Sequence, residues 1–369
     1  MTLTLRASSA LALLALATGP VLADEYNYAT FVPPQAANNV LALQPAFDTI
    51  AAETGGEVQI TMFAGGQLLG GQDMLAGVRD GIADLGFVIP VYAPSDLPNS
   101  VVISDMMPYG SDPIAVAGAS LQTMLMDCPQ CVQEFADNNL VYLGGHVPTP
   151  YRLLCRTNVA SLADIEGLRM RGGSGAMSRI AQSLGGTPVN MGAGDMYEAL
   201  ERGQLDCVVG PIAWLRQYSL GEVIGSVLGE PLGVLGGLGL VTWNTDSWNA
   251  MSDEQKQLML RQMPGIVARA TIDGYIADDA DVRAQYEGTV AFNDSVPEIR
   301  AELDRINAEG LPAIMDAARD RGATDPDAIA AAYLRNLEHW QDLARDRIQG
   351  DTDALAEVLW EEIYSKVSF

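Results

Sequence analysis

The sequence predicts an α/β fold of two lobes with a ligand cleft between them and a helical C-terminal region. Two stretches, 25–88 and 152–209, alternate short apolar strands with helices, an order typical of open parallel sheets covered by helices. A glycine-broken apolar stretch at 233–242 is expected to return as a strand that crosses between the lobes. From residue 253 the pattern is mainly helical. Open sheets of this kind bind ligands in crevices outside their strand ends.

The first lobe is predicted from residue alternation and helical spacing near the start of the chain. Pro45 falls inside the first helical stretch, so it must kink that helix or delay its start. The predicted elements are strands at 25–30, 58–63 and 84–88, helices at 36–54 and 73–79, and a glycine-rich loop at 65–71.

The second lobe is predicted from a similar order of elements that begins near Pro148. Its predicted elements are strands at 152–156, 167–171, 188–190 and 205–209, and helices at 174–184 and 194–202. The end of the chain is predicted to be helical, with one apolar face made by Ile329, Tyr333, Leu337 and Trp340. The predicted division is lobe 1 at 24–147 plus about 233–270, lobe 2 at 148–232 plus about 271–325, and C-terminal helices at 326–369 that pack on the lobes.

Residues 1–23 have the features of a secretory signal peptide. Arg6 precedes an apolar run that is too short to span a bilayer, and Val21-Leu22-Ala23 places small or apolar residues at the positions that a signal peptidase reads. Cleavage is predicted after Ala23, and the exported protein is expected in the periplasm. In such an oxidising compartment, four cysteines suggest two disulfides, which can pair in three ways. The preferred pairing is Cys128 with Cys131 and Cys155 with Cys207.

The charge balance limits the partners of this protein. The chain has 47 acidic and 21 basic residues, a net charge of -26, which argues against nucleic acid and anionic lipid as ligands. A site for an anion must therefore be a local positive pocket. The segment GLRMRG at 167–172 offers one, because it places Arg169 and Arg171 on one predicted strand end. A guanidinium has two parallel donors that match the two oxygens of a carboxylate.

Motifs for enzymatic chemistry are poorly represented. The only histidines are His146 and His339, which excludes a histidine-rich metal site, and His146 is predicted to be a satisfied structural residue at the crossing between the lobes. No dinucleotide fingerprint or phosphate-binding lysine loop is present. We therefore expect no enzyme activity, no cofactor and no metal. One alternative is a thiol-disulfide oxidoreductase that uses Cys128 and Cys131 at a helix start, although a structural disulfide is favoured.

Several runs in their order resemble one family. The runs are DIEGLRMR at 164–171, LGGTPV at 184–189, DMYEALERGQLD at 195–206, and, in the first lobe, GQL at 66–68 and VRDGIAD at 78–84. Together they resemble the substrate-binding proteins of tripartite ATP-independent periplasmic (TRAP) transporters, the dicarboxylate-binding-protein family. The resemblance implies a periplasmic binding protein fold and capture of an organic acid. It also implies a monomer that delivers this acid to separate small and large membrane permease subunits. A ligand-sensing partner of a membrane receptor is the main alternative role.

The resemblance also implies site residues. Arg171 matches the arginine that forms a salt bridge with the ligand carboxylate, whereas Arg169 is expected to pair with a carboxylate of the protein. Arg152 is expected to assist, with Arg156 as its competitor. The family often has an asparagine where this chain has Gly210, and aromatic residues follow, so an aromatic or apolar monocarboxylate becomes a candidate ligand. The further residues expected to line or cover the ligand are Trp214, Tyr218, Phe31, Gln67, Phe87 and Tyr92.

Overall fold

The strands of the protein form two sheets. The computed structural model describes residues 24–367, so the predicted signal peptide and its cleavage after Ala23 lie outside the described residues. The strands are β1 Asp24–Ala29, β2 Val58–Phe63, β3 Leu85–Val88, β4 Leu140–Gly144, β5 Arg152–Cys155, β6 Arg169–Gly172, β7 Thr187–Asn190, β8 Cys207–Gly210, β9 Ser226–Leu228, β10 Gly239–Asn244 and β11 Ala291–Asn293. The first sheet has the order β2-β1-β3-β10-β4, and the second has the order β11-β9-β5-β8-β6-β7.

Both sheets are mixed. In the first, β1 is parallel to β2 and β3, while β10 is antiparallel to β3 and β4. In the second, β6 is parallel to β7 and β8, while β5 is antiparallel to β8 and β9. The chain passes from the first sheet to the second between β4 and β5, and β10 returns to the first sheet. The two-lobed α/β fold predicted from the sequence is therefore confirmed, while the lobe boundaries remain a prediction.

Helices cover the sheets and make up most of the C-terminal region. The α-helices are α1 Gln44–Glu53, α2 Met74–Arg79, α3 Pro98–Asp105, α4 Pro113–Gln122, α5 Pro129–Asp137, α6 Gly175–Ser183, α7 Met196–Glu201, α8 Trp214–Gln217, α9 Thr245–Ala250, α10 Asp253–Thr271, α11 Ala277–Tyr286, α12 Pro297–Glu309, α13 Leu311–Asp320, α14 Pro326–Leu343 and α15 Thr352–Leu359. Wider π-helical turns lie at Asn38–Leu43, Thr123–Asp127, Ile272–Ile276, Ala344–Ile348 and Trp360–Tyr364. Within residues 24–367, no helix is both long and apolar enough to cross a bilayer.

Two predicted elements differ in their bounds. The helix expected from residue 36 starts as the π-helical turn, and its α-helical part begins at Gln44, with Pro45 in the first turn where its missing N–H is tolerated. The strand expected at 233–242 forms only from Gly239. Gly233 has a φ of +119°, and a Cβ there would lie 2.3 Å from the carbonyl oxygen of Met107, so the chain before β10 is irregular and tightly packed.

The C-terminal helix α14 packs against α4 through the apolar face that the sequence predicts. Ile329, Tyr333, Leu337 and Trp340 are all buried on that face. Gly118 of α4 makes room for Trp340, because a Cβ there would lie 1.9 Å from the indole ring. The indole N–H donates to the Gln122 side chain at 2.8 Å.

Both predicted disulfides are present. Cys128 is bonded to Cys131 at the start of α5, and Cys155 is bonded to Cys207 across the neighbouring strands β5 and β8. All four cysteines are fully buried. The first bond closes a very short loop beside the first sheet, whereas the second joins two central strands of the second sheet.

Candidate functional site

A cavity lies between the two sheets, where chain segments leave the ends of β1, β3, β6 and β8. About 480 Å³ of space lies between its lining atoms, counted out to its opening. The lining is mostly aromatic and aliphatic, and Arg171 is its only charged residue among the part of the chain that the structure describes. Its aromatic side chains are Phe31, Phe87, Tyr92, Tyr151, Trp214, Tyr218 and Tyr275, together with the imidazole of His146.

Arg171 is held rigidly in this cavity. Its side chain is only 1% exposed, its Nε donates to the carbonyl oxygen of Met191 at 3.0 Å, and its Nη2 donates to the hydroxyl of Tyr92 at 3.0 Å. Gly173 allows this conformation, because a Cβ there would lie 2.6 Å from Nη2. No carboxylate of residues 24–367 forms an ion pair with the guanidinium. A buried cation without an anion is costly, so this site favours an anionic guest.

Tyr92 connects the two sheets at the guanidinium. It follows β3 of the first sheet, and its hydroxyl accepts hydrogen bonds from Arg171 of the second sheet and from the N–H of Ala193 at 3.1 Å. Because the oxygen already accepts twice, its own proton remains available to donate. A second link between the sheets runs from the Gln35 amide to the carbonyl oxygen of Gln217 at 3.2 Å. Because these contacts join the two sheets across the cavity, the structure corresponds to the closed arrangement of the cleft.

One wall of the cavity is built around Trp214 at the start of α8. The Arg171 guanidinium carbon lies 5.7 Å from the centre of this indole, within the range of a cation–π interaction. Tyr151 and Tyr218 pack on the same indole with ring centres 5.5 Å and 5.4 Å away. Gly210 explains why the indole fits, because a Cβ there would lie 2.2 Å from Trp214 Cε3.

The opposite wall is a row of rings from the first sheet. Phe31 lies 6.0 Å from Tyr92 and 5.4 Å from Phe87, measured between ring centres. Phe87 in turn lies 5.5 Å from His146, which stacks on Tyr275 at 5.2 Å. The cavity therefore has one cationic end and a long aromatic body.

Six of the nine residues expected at the ligand line this cavity, and three do not. Phe31, Phe87, Tyr92, Arg171, Trp214 and Tyr218 lie on its surface. Gln67 lies in an exposed part of the glycine-rich loop. Gly210 lies behind the indole of Trp214 and acts by being small. Arg152 donates from Nη1 to the carbonyl oxygen of Gly229, and burial lowers the pKa of its guanidinium.

Arg169 has the role that the sequence suggested. Its Nε and Nη2 donate to the two carboxylate oxygens of Asp206 at 2.9 Å and 2.8 Å, and its side chain is 44% exposed. These hydrogen bonds lower the pKa of Asp206. The two arginines of GLRMRG therefore separate into a pair within the protein and a buried guanidinium in the cavity.

Three polar or aromatic lining residues were not selected from the sequence as ligand residues. Tyr151 sits beside Arg152, and Tyr275 lies on the π-helical turn after α10, far from the other site residues along the chain. His146 does lie between the sheets as expected, but the prediction that it is a satisfied structural residue is wrong. Its Nδ1 is buried without a hydrogen-bond partner among the described residues.

Asp279 supports the Trp214 wall from behind. Its Oδ1 accepts a hydrogen bond at 2.7 Å from the N–H of Ala213, the residue before α8. Burial raises the pKa of this carboxyl to about 6, even though the hydrogen bond from Ala213 and the charge of Arg152 act in the opposite direction. Part of the folded population therefore keeps this group protonated in mildly acidic solution.

We expect Asp279→Asn to change how stability depends on pH. Between the usual pKa of 3.8 and about 6, folded wild-type protein binds more protons at Asp279 than the unfolded chain does, so its stability falls as pH rises. The amide can still accept from Ala213 but does not titrate. The difference in free energy of unfolding, variant minus wild type, should therefore increase by up to about 3 kcal/mol as the pH is raised from 4 to 7.

Urea unfolding at several pH values measures this gain. Asp206→Asn is the matched control, because Arg169 lowers the pKa of Asp206 and the stabilisation it gives is lost only as pH falls below about 3.8, so its difference from wild type should stay nearly constant between pH 4 and pH 7. A constant difference between Asp279→Asn and wild type over this range would contradict the assignment.

No cluster of three or more histidine, cysteine, aspartate or glutamate side chains suited to a metal ion occurs in residues 24–367. The cavity offers instead one fixed guanidinium, a free phenolic proton and a ring-lined body. Such a site suits a small organic anion enclosed between two α/β bodies, which is the arrangement of a two-lobed ligand-binding protein.

The chain belongs to the family of bacterial extracellular solute-binding proteins, family 7, also named DctP. The sequence model of this family matches residues 30–287, which confirms the membership predicted from the sequence. The fold is also similar to many solved structures.

Three examples are structures of proteins that bind small acids. A TRAP periplasmic solute-binding protein from Bordetella bronchiseptica with bound (R)- and (S)-mandelate is 21% identical, with a TM-score of 0.71 over 86% of this chain and 99% of that one. A TRAP solute-binding protein from Rhodoferax ferrireducens with copurified benzoate is 19% identical, with a TM-score of 0.75 over 87% and 99%. DctP7 of Bordetella pertussis, which binds pyroglutamic acid, is 19% identical, with a TM-score of 0.69 over 85% and 100%.

Proposed function

We propose that this protein is a periplasmic solute-binding protein that captures a monocarboxylate with an aromatic or otherwise apolar body and delivers it to the permease subunits of a TRAP transporter. Arg171 holds the carboxylate, and the rings of the cleft enclose the rest of the molecule. The protein binds and releases its ligand without changing it chemically. The lobes are residues 24–147 with about 233–270, and 148–232 with about 271–325, closing on the ligand as two bodies.

The single observation that carries the proposal is the buried guanidinium of Arg171 without an anion of its own. Charge-assisted hydrogen bonds from Arg171 contribute roughly 1.5–3 kcal/mol each. The hydroxyl proton of Tyr92 adds a third donor directed at the same anion. Micromolar affinity requires only about 8 kcal/mol in total. Arg171 and Tyr92 therefore account for a large part of the necessary free energy, and apolar burial supplies the rest.

The preference for one carboxylate follows from the charges around the cavity. Arg171 is its only charged lining residue in the described chain, and Arg152 donates to a backbone carbonyl elsewhere. A second carboxylate would enter the ring-lined body without a cation and lose its hydration. The mandelate, benzoate and pyroglutamate bound by the three similar proteins are all monocarboxylates with a compact ring, which supports the same class of ligand here.

Isothermal titration calorimetry against a panel of acids tests this proposal. We expect benzoate, mandelate and phenylacetate to bind in the micromolar range, and succinate and malate to bind at least about 100-fold more weakly because their second carboxylate is buried without a partner. Tight binding of dicarboxylates, or no binding of any acid, would overturn the proposed ligand class.

A role in ligand sensing is the second candidate, because a closed, ligand-loaded form can be recognised by a receptor as well as by a permease. Deletion of the gene separates the two roles: loss of acid uptake with intact signalling supports transport. The thiol-disulfide oxidoreductase alternative is disfavoured, since Cys128 and Cys131 are both fully buried in a disulfide.

A further inference from the structure

His146 is a buried polar group of the cavity that the capture of a carboxylate does not use. It lies on the chain that passes from β4 to β5, and it is 2% exposed. Its Nδ1 has no hydrogen-bond partner among the described residues, although the ring lines the cavity. Leaving such a group unpaired costs about 1–3 kcal/mol. The described protein therefore leaves this nitrogen to a partner from outside the chain, at the surface of its ligand site.

The imidazole is electrically neutral in its setting. It is packed between Phe87 and Tyr275, and burial lowers its pKa to about 3. A neutral imidazole carries one N–H donor and one bare nitrogen acceptor. It cannot serve as a second cation for a carboxylate, but it can pair with a neutral group that donates or accepts a hydrogen bond.

His146 makes no direct contact with the cationic end of the cavity. Arg171 is bonded to Tyr92, and the row of rings continues from Tyr92 through Phe31 and Phe87 before it reaches His146. No hydrogen bond or ring contact joins His146 to Arg171 in residues 24–367. A ligand whose carboxylate is on Arg171 therefore presents another part of its body to His146.

We propose that His146 selects ligands that carry a neutral hydrogen-bonding group, a hydroxyl or a lactam, on the part of the molecule away from the carboxylate. This inference rests on the proposed function, since Arg171 must first orient the acid. A hydroxyl can both donate and accept, and a lactam offers an N–H and a carbonyl, so either group pairs with the neutral imidazole. A plain hydrocarbon ring would leave Nδ1 unpaired in a site closed to water.

Calorimetry with matched pairs of acids tests the selection. The first set compares benzoate with 3-hydroxybenzoate and 4-hydroxybenzoate, and the second compares cyclopentanecarboxylate with 5-oxopyrrolidine-3-carboxylate, whose lactam is not attached to the carbon that carries the carboxylate. We expect wild-type protein to bind the polar member of at least one pair about 10-fold to 100-fold more tightly, because an unpaired buried group is then satisfied. The two pair sets show whether the hydroxyl or the lactam is the preferred group.

His146→Phe should remove this discrimination while keeping the ring-lined cavity. The affinity ratio within each pair should fall below about threefold, whatever the change in absolute affinity. His339→Phe on the exposed side of α14 is the matched control and should keep the wild-type ratio. His146→Gln, which keeps a donor and an acceptor, should retain part of the preference and also replaces His146→Phe if that variant does not fold.

The outcomes separate this inference from the proposed function. Equal binding of both members of every pair by wild-type protein, or a preference that persists in His146→Phe, would overturn the role of His146 while leaving capture by Arg171 intact. Failure of every acid to bind wild-type protein would overturn the proposed function itself.

Discussion

Replacement of Arg171 by alanine should weaken the binding of the acid at least about 100-fold without unfolding the protein. At least two charge-assisted hydrogen bonds are lost, and each contributes roughly 1.5–3 kcal/mol. The fold should tolerate the change because the guanidinium has no ion-pair partner and is 1% exposed, so its removal also removes a buried charge. Within the described protein the variant gives up the hydrogen bonds to the carbonyl of Met191 and to Tyr92, together with the cation–π interaction with Trp214.

Two further variants define what the guanidinium contributes. Arg169→Ala is the matched control from the same strand, because its side chain pairs with Asp206 outside the cavity, and it should keep the wild-type affinity. Arg171→Lys keeps the charge but loses the planar pair of donors, so we expect an intermediate loss. Calorimetry gives the affinities, and thermal unfolding shows whether each variant is folded. Unchanged affinity in a folded Arg171→Ala protein would refute the assignment of the carboxylate site.

Removal of the disulfide between Cys155 and Cys207 should lower the free energy of unfolding by about 4 kcal/mol. The bond closes a loop with a sequence separation of 52 residues, so its loss allows the unfolded chain far more conformations. The two residues are directly opposite each other on β5 and β8, and these central strands of the second sheet lead to Tyr151 and Trp214 on either side. The Cys155→Ala, Cys207→Ala double variant should therefore also lose some ligand affinity.

The other disulfide provides the comparison. Cys128 and Cys131 are only three residues apart, so the same argument from loop length gives a cost of about 2 kcal/mol. The Cys128→Ala, Cys131→Ala double variant should keep full ligand affinity, since both cysteines lie away from the cavity lining. Urea unfolding of both double variants shows which disulfide contributes more to the free energy of unfolding. A larger cost for the short loop would show that packing around the sulfurs, rather than loop closure, dominates.

Much of the architecture could be predicted from local patterns. Alternation identified β1, because a strand that is buried on one face has a period of two residues. Short apolar runs between turn residues identified β2, β3 and the strands around Arg171. The helix α14 was identified from the spacing of its buried face. The predicted start of the strand at 233 was wrong because tight packing around Gly233 overrides the local preference for a strand. The short edge strand β11 was not predicted, because it has too few residues to be distinguished from the helical region around it.

The binding chemistry was predicted in part. Arg171, Arg169 and the aromatic residues near them could be found because a family motif and residue chemistry point to the same positions. Arg152 and Gln67 were expected at the ligand by proximity along the chain, but strand pairing directs Arg152 to Gly229 and the loop leaves Gln67 exposed. The sequence around Gly210 predicted an aromatic, weakly polar site, and the lining of the cavity is aromatic. Gly210 itself does not line the cavity but makes room for the indole of Trp214.

The order of residues along the chain was enough to predict the α/β lobes, to favour one disulfide pairing and to single out Arg171 for an anion, since each depends on residue type, periodicity or a local motif. The remainder of the cavity comes from segments that are far apart in sequence. His146, Tyr151 and Tyr275 meet there because β4, β5 and the turn after α10 pack together. Whether a buried nitrogen finds a partner depends on that packing, so only the folded arrangement reveals the unpaired imidazole within the aromatic row.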